Sequence, residues 1–259
     1  MIALTETPKA PVLGVPVNAL TMDDAVALAD SAIQDRRRLL IGVVNAAKLV
    51  NMRRDRRLRQ AVLASDVILP DGMSVVWAAR LLRRPLPERV TGVDLLTRLL
   101  EHAHQKRYGV YCLGATDEVL AEVLDRIREE YPGARVVGHR NGYFSADEEP
   151  AVAEHIAASR PDMLFAAMSS PKKEMFLARW AGEINVPVCH GVGGAFDVLA
   201  GKVQRAPGIW QRLGLEWLYR VAQEPRRLWR RYLVTNTLFT CLVLWERMLG
   251  SPPVEASGG

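Results

Sequence analysis

The chain has 259 residues, of which 49% are hydrophobic and 24% are charged; this composition is typical of a globular protein and excludes a disordered chain or one with many membrane spans. Its three cysteines are far apart and have no Cys or His partner at metal-ligand spacing, so we expect free thiols in a reducing compartment. The net charge of +5 comes from one stretch: residues 202–231 contain one Lys and seven Arg against two Glu, a net charge of +6, which indicates an anionic ligand or surface near this segment.

The first half of the chain alternates apolar runs rich in β-branched residues with amphipathic segments. The first twenty residues lack a basic start before an apolar run, so we expect no secretory signal. In chain order, the pattern predicts a strand at 12–17, a helix capped by Thr21, a strand at 39–44, a helix over 46–64 broken near Asp55, a strand at 67–69, and helices over 73–83 and 93–106.

The second half continues this alternation up to residue 200. It predicts a strand at 108–113, a helix whose apolar face runs from Val119 to Tyr131, a strand at 134–138, a helix over 147–159, a strand at 163–167, a helix from Pro171 and a strand at 186–190. Strands that alternate with helices predict an α/β fold, with a mainly parallel sheet that carries helices on both faces in a Rossmann-like core. Ligands of such sheets bind beyond the carboxyl ends of the strands, so the segments that follow the strands form the candidate site.

The pattern changes after residue 200, and it predicts an α/β catalytic core over 1–200, a basic helical appendage over 201–250 and a disordered tail over 251–259. Residues 232–245 carry no charge, but as a helix they reach only ~21 Å, short of the ~30 Å hydrocarbon core of a bilayer. We therefore expect the appendage to lie on an anionic membrane surface rather than to span it. A simpler alternative, in which its tryptophans pack on the core and its arginines face water, is compatible with this expectation.

Asp71 lies between a predicted strand and a predicted helix. A carboxylate in that position is near backbone amides and can accept a proton from a substrate, but composition alone favours the simpler role of a cap of the following helix. Arg89, shortly downstream, has the planar fork of donors that binds a diphosphate through two parallel hydrogen bonds. Each of these two signals is weak alone.

Three other segments that follow strands carry candidate binding residues. The glycine-rich turn 191–194 can bring backbone N–H groups to a phosphate, although its spacing fails the GxGxxG pattern of dinucleotide binding; Asp197 lies in the helix that follows. Lys173 can also reach a phosphate, whereas we expect its neighbour Lys172 to be a solvated lysine. Tyr143 follows a glycine turn and is suited either to stack on a base or to close an edge of the core.

The sequence contains no Asp-x-Asp motif and no set of His, Cys, Asp and Glu at metal-ligand spacing, so it predicts neither a metal nor another cofactor. Its five histidines form no triad pattern with a Ser or Cys. We interpret them, His190 included, as structural or surface residues.

Long motifs of this chain resemble those of the WecG/TagA/CpsF family of bacterial glycosyltransferases, which build cell-envelope polysaccharides and wall teichoic acid linkage units. The resemblance covers the chain from about residue 12 to about residue 247. Its most specific motifs are PDGMSVVWAA, ERVTGVDL, NGYF, GVGGAFDVLAGKVQRAP and LGLEWLYRVAQEPRRLWRRYLVTN.

The resemblance implies an inverting, metal-independent transfer of N-acetylmannosamine or a related sugar from a UDP-sugar donor. The implied acceptor is a sugar on a polyprenyl diphosphate, and the implied location is the cytoplasm, peripheral on the inner face of the cell membrane. Asp71 matches the family's proposed base, which deprotonates the acceptor hydroxyl. Arg89 matches an arginine expected to stabilise the leaving diphosphate.

The remaining matches to the family's functional positions are substrate-binding residues. Asn45 matches an active-site asparagine, and Tyr143 and Asp197 match positions expected to contact the uracil. Arginines of the tail are expected to complete the site when the appendage closes over it. The matching arginines in this chain are Arg220, Arg227 and Arg230.

Two positions depart from the family pattern. Val43 replaces a common Thr and removes a hydroxyl from the donor pocket, and Lys173 replaces a common Gln and adds a positive charge where diphosphate charge develops. Because these departures bear on the donor sugar, a glucosyl- or glucuronosyltransferase of exopolysaccharide assembly is the alternative function.

Two other classes of protein are alternatives to a glycosyltransferase. An NAD-dependent oxidoreductase on a doubly wound sheet requires the GxGxxG pattern, which this chain lacks. A nonenzymatic nucleic-acid-binding module would use the arginine-rich tail but gives Asp71 no role, so we expect no nucleic acid partner. The oligomeric state is open, and a homo-oligomer is compatible with the sequence.

Overall fold

The computed structural model describes residues 7–212, 214–223 and 225–250, without the side chains at 212, 220, 225–228, 230 and 231. Its central sheet has six parallel strands in the order β4-β3-β8-β7-β5-β6, and a separate two-stranded hairpin is formed by β1 and β2. The strands are β1 Lys9–Val12, β2 Val15–Asn18, β3 Leu39–Val44, β4 Val67–Pro70, β5 Gly109–Gly114, β6 Arg135–Arg140, β7 Met163–Ala167 and β8 Val188–Gly191.

Helices connect these strands and cover both faces of the sheet, which confirms the predicted α/β fold. The helices of the core are α1 Met22–Gln34, α2 Ala46–Met52, α3 Arg56–Leu63, α4 Met73–Leu81, α5 Gly92–Lys106, α6 Asp117–Glu130, α7 Glu149–Ser159, α8 Lys172–Trp180 and α9 Ala195–Leu199. The helices that follow are α10 Gly208–Arg212, α11 Glu216–Gln223 and α12 Pro225–Leu249.

The inner strands β5 and β7 are buried on both sides, because successive side chains point to opposite faces and helices cover each face. Val110, Cys112 and Phe165 pack with α1, α5 and α6 on one face. Tyr111 and Leu164, from alternate positions of the same strands, pack with α7 and α8 on the other face. The near-continuous apolar runs of the sequence follow from this double burial.

Two helix starts are set by side chains that the sequence singles out. Thr21 caps α1 in a capping box, in which its hydroxyl accepts the N–H of Asp24 and the Asp24 carboxylate accepts the N–H of Thr21. Asp55 caps α3 by accepting the N–H of Leu58 at 3.0 Å. The predicted helix over 46–64 is therefore two helices, with the break at the expected residue.

The prediction of one strand at 12–17 is wrong. Residues 9–18 form a tight antiparallel hairpin in which Val12 pairs with Val15. Leu13 and Gly14, the two residues of the turn, both have positive φ, at 51° and 74°. Because the usual asparagine is missing at this turn, the sequence gives only its single glycine as a signal.

The C-terminal helix packs against the core rather than standing away from it. Phe239 and Val243 are buried in a cluster with the hairpin and α2–α4. Buried Glu246 accepts the N–H of Leu13 at 2.8 Å and pairs with Arg84 at 2.9 Å. The division into a core and an appendage remains a prediction, and the predicted tail over 251–259 lies outside the described residues.

In the part of the chain that the structure describes, none of the helices combines the length and the apolar character that crossing a membrane requires.

Candidate active site

A cleft with a volume of about 1160 Å³ opens beyond the carboxyl ends of the central strands. Segments that follow β3, β4, β7 and β8 form its floor, and residues of α11 and α12 form part of its wall. Six side chains nominated from the sequence line this one cleft: Asn45, Asp71, Arg89, Tyr143, Lys173 and Asp197. The side chains of Arg220 and Arg230, like that of Arg227, lie outside the described part of the structure.

Asp71 directly follows β4, and its N–H extends the sheet by donating to the carbonyl of Val44 at 2.8 Å. It does not cap the next helix, since the N-cap of α4 is Gly72. Its carboxylate instead accepts the N–H of Gly92, the first residue of α5, at 3.1 Å. The amino end of a helix favours negative charge, so this contact supports an ionised carboxylate in the cleft.

Asn45 joins Asp71 to the end of β3. As the N-cap of α2, Asn45 accepts the N–H of Lys48 at 3.0 Å through its side-chain oxygen. This contact leaves the Asn45 amide nitrogen directed at Asp71, 3.4 Å from the carboxylate. The Asp71 carboxylate is therefore oriented by groups at the starts of two helices, α2 and α5.

Next to Asp71, three charged side chains lie buried at the floor of the cleft. The Glu174 carboxylate accepts the ammonium groups of Lys48 and Lys173, each at 2.7 Å. Burial opposes ionisation of Glu174, but the two lysine charges outweigh it and lower the Glu174 pKa to about 2. Burial and the Lys48 charge lower the pKa of Lys173, while Glu174 and Asp71 act to raise it.

The sequence nominates only Lys173 from this cluster and misses the other two. Lys48 is three residues after Asn45, and Glu174 is adjacent to Lys173, so their positions beside nominated residues are the only sequence signal. His190 also belongs to this region and is fully buried, as a structural histidine should be. Burial lowers its pKa to about 4, which makes it neutral at physiological pH.

Arg89 is held by residues of the C-terminal region. Its two terminal nitrogens donate to Glu216 at 3.1 Å and to Gln211 at 3.0 Å. Arg205 in turn pairs with Asp94 in the first turn of α5. The guanidinium nominated for diphosphate binding thus contacts a carboxylate at the start of α11, a pairing that the sequence does not predict.

Tyr143 stands on a loop at the mouth of the cleft with 76% of its surface exposed. Lys172 holds this loop: its ammonium donates to the carbonyls of Gly142 and Phe144 at 2.9 and 2.7 Å and lies over the Phe144 ring. The expectation that Lys172 is a solvated lysine is therefore wrong. Asp197, across the cleft, lies in the first turn of α9 after the glycine-rich turn.

Among the described residues, no group of three or more His, Cys, Asp and Glu side chains is placed to hold a metal ion.

The carboxylate and cationic groups at the strand ends of this parallel α/β sheet form a site that can accept a proton and stabilise an anionic leaving group, as a group-transfer enzyme requires. Residues 10–252 match the family model described as the glycosyl transferase WecG/TagA/CpsF family. The chain therefore belongs to this family and is a glycosyltransferase, which confirms the resemblance seen in its motifs. The oxidoreductase and the nonenzymatic nucleic-acid-binding module are set aside.

Two relatives from Bacillus carry the same name, N-acetylglucosaminyldiphosphoundecaprenol N-acetyl-beta-D-mannosaminyltransferase. The chain is 41% identical over 194 residues to the protein from Bacillus spizizenii, and the match covers 74% of each chain. It is 36% identical over 194 residues to the protein from Bacillus subtilis, where the match covers 75% of each chain.

Proposed function

We propose that this glycosyltransferase moves N-acetylmannosamine from UDP to an N-acetylglucosamine carried on a polyprenyl diphosphate. The observation that carries the proposal is the position of Asp71, a carboxylate at the floor of a cleft where buried lysines and an arginine converge. The printed name of both Bacillus relatives supports the choice of sugar and acceptor.

In the proposed reaction, Asp71 takes the proton of the acceptor hydroxyl as its oxygen attacks the anomeric carbon. The new carbon–oxygen bond forms on one face of the sugar while the bond to the diphosphate breaks on the other, so the configuration inverts. The electron pair of the broken bond leaves with UDP. A positioned general base typically contributes about 10²–10⁴-fold to the rate.

The cationic groups around Asp71 would stabilise the departing UDP. Lys173 lies beside the glycine-rich turn, where its ammonium can reach an anion bound in the cleft. Arg89 can bind the diphosphate once that anion replaces the Glu216 carboxylate as its partner. In this proposal, Tyr143 and Asp197 bind the uracil at the mouth of the cleft.

The proposed acceptor is lipid-linked, and α12 offers a surface suited to a lipid interface. One side of α12 is buried on the core, whereas several large apolar side chains of the helix are exposed. These are Trp229, Leu233, Val234, Leu244, Trp245, Met248 and Leu249. Together with the basic segment 202–231, they support peripheral binding to the anionic cytoplasmic face of the membrane.

The decisive experiment incubates the protein with a panel of UDP-sugars and a short-chain polyprenyl-diphosphate-N-acetylglucosamine, followed by mass spectrometry of the lipid product. We expect a mass increase of one N-acetylhexosamine with UDP-N-acetylmannosamine. Transfer from UDP-glucose or UDP-glucuronic acid instead would establish the alternative donor suggested by Val43 and Lys173. Failure of every UDP-sugar to extend the acceptor would refute the proposal.

A further inference from the structure

The cluster of Lys48, Lys173 and Glu174 is buried to a degree that charged groups reach only when they are paired. Their side chains are 10%, 8% and 9% exposed, respectively. Lys48 is fixed a second time, since its ammonium also donates to the carbonyl of Val43 in β3 at 2.8 Å. The cluster thus ties α2, α8 and the end of β3 together directly under the cleft.

Within this cluster, Lys173 lies against the glycine-rich turn that borders the cleft. A Cβ added at Gly191 would stand 3.3 Å from the Lys173 side chain, and one added at Gly193 would stand 3.7 Å from its ammonium. Gly193 also has a positive φ of 55°, a backbone conformation that favours glycine. A Cβ at Gly191 would crowd the aliphatic stem of Lys173, so glycine there lets the lysine lie close to the backbone of the turn.

Four titratable groups act on Lys173 from the elements packed around it: Lys48 of α2, Glu174 of α8, Asp71 after β4 and His190 of β8. His190 is neutral at physiological pH because burial lowers its pKa to about 4. Lys48 opposes the charge of Lys173, whereas Glu174 and Asp71 favour it. Among these, Glu174 is the carboxylate in direct contact with the Lys173 ammonium, at 2.7 Å.

We propose that Glu174 and Lys48 are positioning residues of the transfer reaction, which act through Lys173. Glu174 fixes the Lys173 ammonium against the glycine-rich turn and keeps it charged despite its burial. Lys48 fixes Glu174 in turn, and its own charge opposes the charge of Lys173. This inference rests on the proposed function, because it assigns the charge of Lys173 to the diphosphate of the donor.

The test is the pH dependence of kcat/KM for transfer from the UDP-sugar to the lipid acceptor. The charged form of Lys173 is the active one, so activity falls as pH rises through its pKa and gives an alkaline limb. Glu174→Gln removes the charge that favours the ammonium, and we expect the limb to move to lower pH by roughly one to three units. Lys48→Met removes the opposing charge and should move the limb to higher pH.

Two further variants test whether the alkaline limb arises from titration of Lys173. Lys173→Gln should lower kcat/KM and abolish the limb, because no ammonium is left to titrate. Arg179→Gln changes an exposed charge on α8, the helix that carries Lys173, and should leave the limb in place. UDP binding measured by calorimetry provides a second readout: in Glu174→Gln it should weaken at high pH and recover when the pH is lowered.

Opposite shifts in Glu174→Gln and Lys48→Met are a result that loss of packing alone does not produce. If Glu174→Gln fails to fold, the shift of the alkaline limb to higher pH in Lys48→Met still tests whether the cluster acts through Lys173. Active, folded variants whose alkaline limbs coincide with the wild type would overturn the inference and leave the proposed function intact. A wild-type protein that extends no acceptor from any UDP-sugar would refute the proposed function, and the inference with it.

Discussion

Replacing Asp71 with Asn separates the chemical role of this residue from its structural one. In the wild type, the Gly92 nitrogen lies 3.1 Å from the Asp71 carboxylate. The Asn side chain keeps an oxygen that can accept the same N–H. What is lost is the charge, and hydrogen bonds to charged groups exceed neutral ones by about 1 kcal/mol. We therefore expect the melting temperature to fall by only about 2–4 °C.

The effect of Asp71→Asn on turnover should be far larger. An amide cannot take the proton of the acceptor hydroxyl, so kcat should fall by about 10²–10⁴-fold. This loss corresponds to about 3–5 kcal/mol in the activation barrier. UDP affinity should stay within a few-fold of the wild type, because the amide leaves the cationic groups of the cleft in place.

The assay combines kcat on the lipid acceptor, UDP binding by calorimetry and thermal unfolding. Asp66→Asn is the matched control, because Asp66 precedes the same strand at its opposite end and accepts the N–H of Leu40 at 2.7 Å. That variant should lose stability while keeping kcat. A folded Asp71→Asn protein with kcat within tenfold of the wild type would refute the assignment of Asp71 as the base.

Three other outcomes follow from contacts of the C-terminal region and its charge. Glu216→Gln removes the carboxylate that competes for Arg89, so calorimetry should show UDP binding about three- to tenfold tighter; weaker binding would mean that Glu216 instead holds Arg89 in its binding position. Glu246→Ala leaves the buried N–H of Leu13 without this acceptor, and urea unfolding should show a loss of about 2–3 kcal/mol; a loss below about 0.5 kcal/mol would contradict the packing of α12. The intact protein should float with anionic liposomes at low salt and dissociate at about 0.5 M salt; equal binding to neutral liposomes would contradict a role of the basic segment in membrane binding.

Much of the fold can be predicted from local patterns, because local residues determine it. Double burial of parallel strands produces uninterrupted apolar runs, and caps such as Thr21 and Asp55 act on amides three residues ahead. The hairpin could not be predicted in this way, because Leu13, a residue type that seldom adopts a positive φ, does so in its turn. Strand ends meet at one edge of the sheet, so the location of the cleft can also be predicted.

The partners of the site residues could not be predicted, because they are far away in the sequence. Lys48 and Glu174 are separated by 126 residues, and Arg89 and Glu216 by 127. No spacing rule links such positions, and only the completed sheet brings them together. The sequence likewise does not distinguish a solvated lysine from one that binds a loop, as the hydrogen bond of Lys172 to the carbonyl of Gly142 illustrates.

The bond between Glu246 and the N–H of Leu13 joins positions 233 residues apart, near opposite ends of the sequence. During synthesis, the hairpin, β4 and Asp71 emerge long before α12, which supplies part of the cleft wall. A nascent chain therefore has its carboxylate before the wall of the cleft is complete. Since α12 lines part of the cleft, this part of the wall forms only after Glu246 has been synthesised and has docked onto the hairpin.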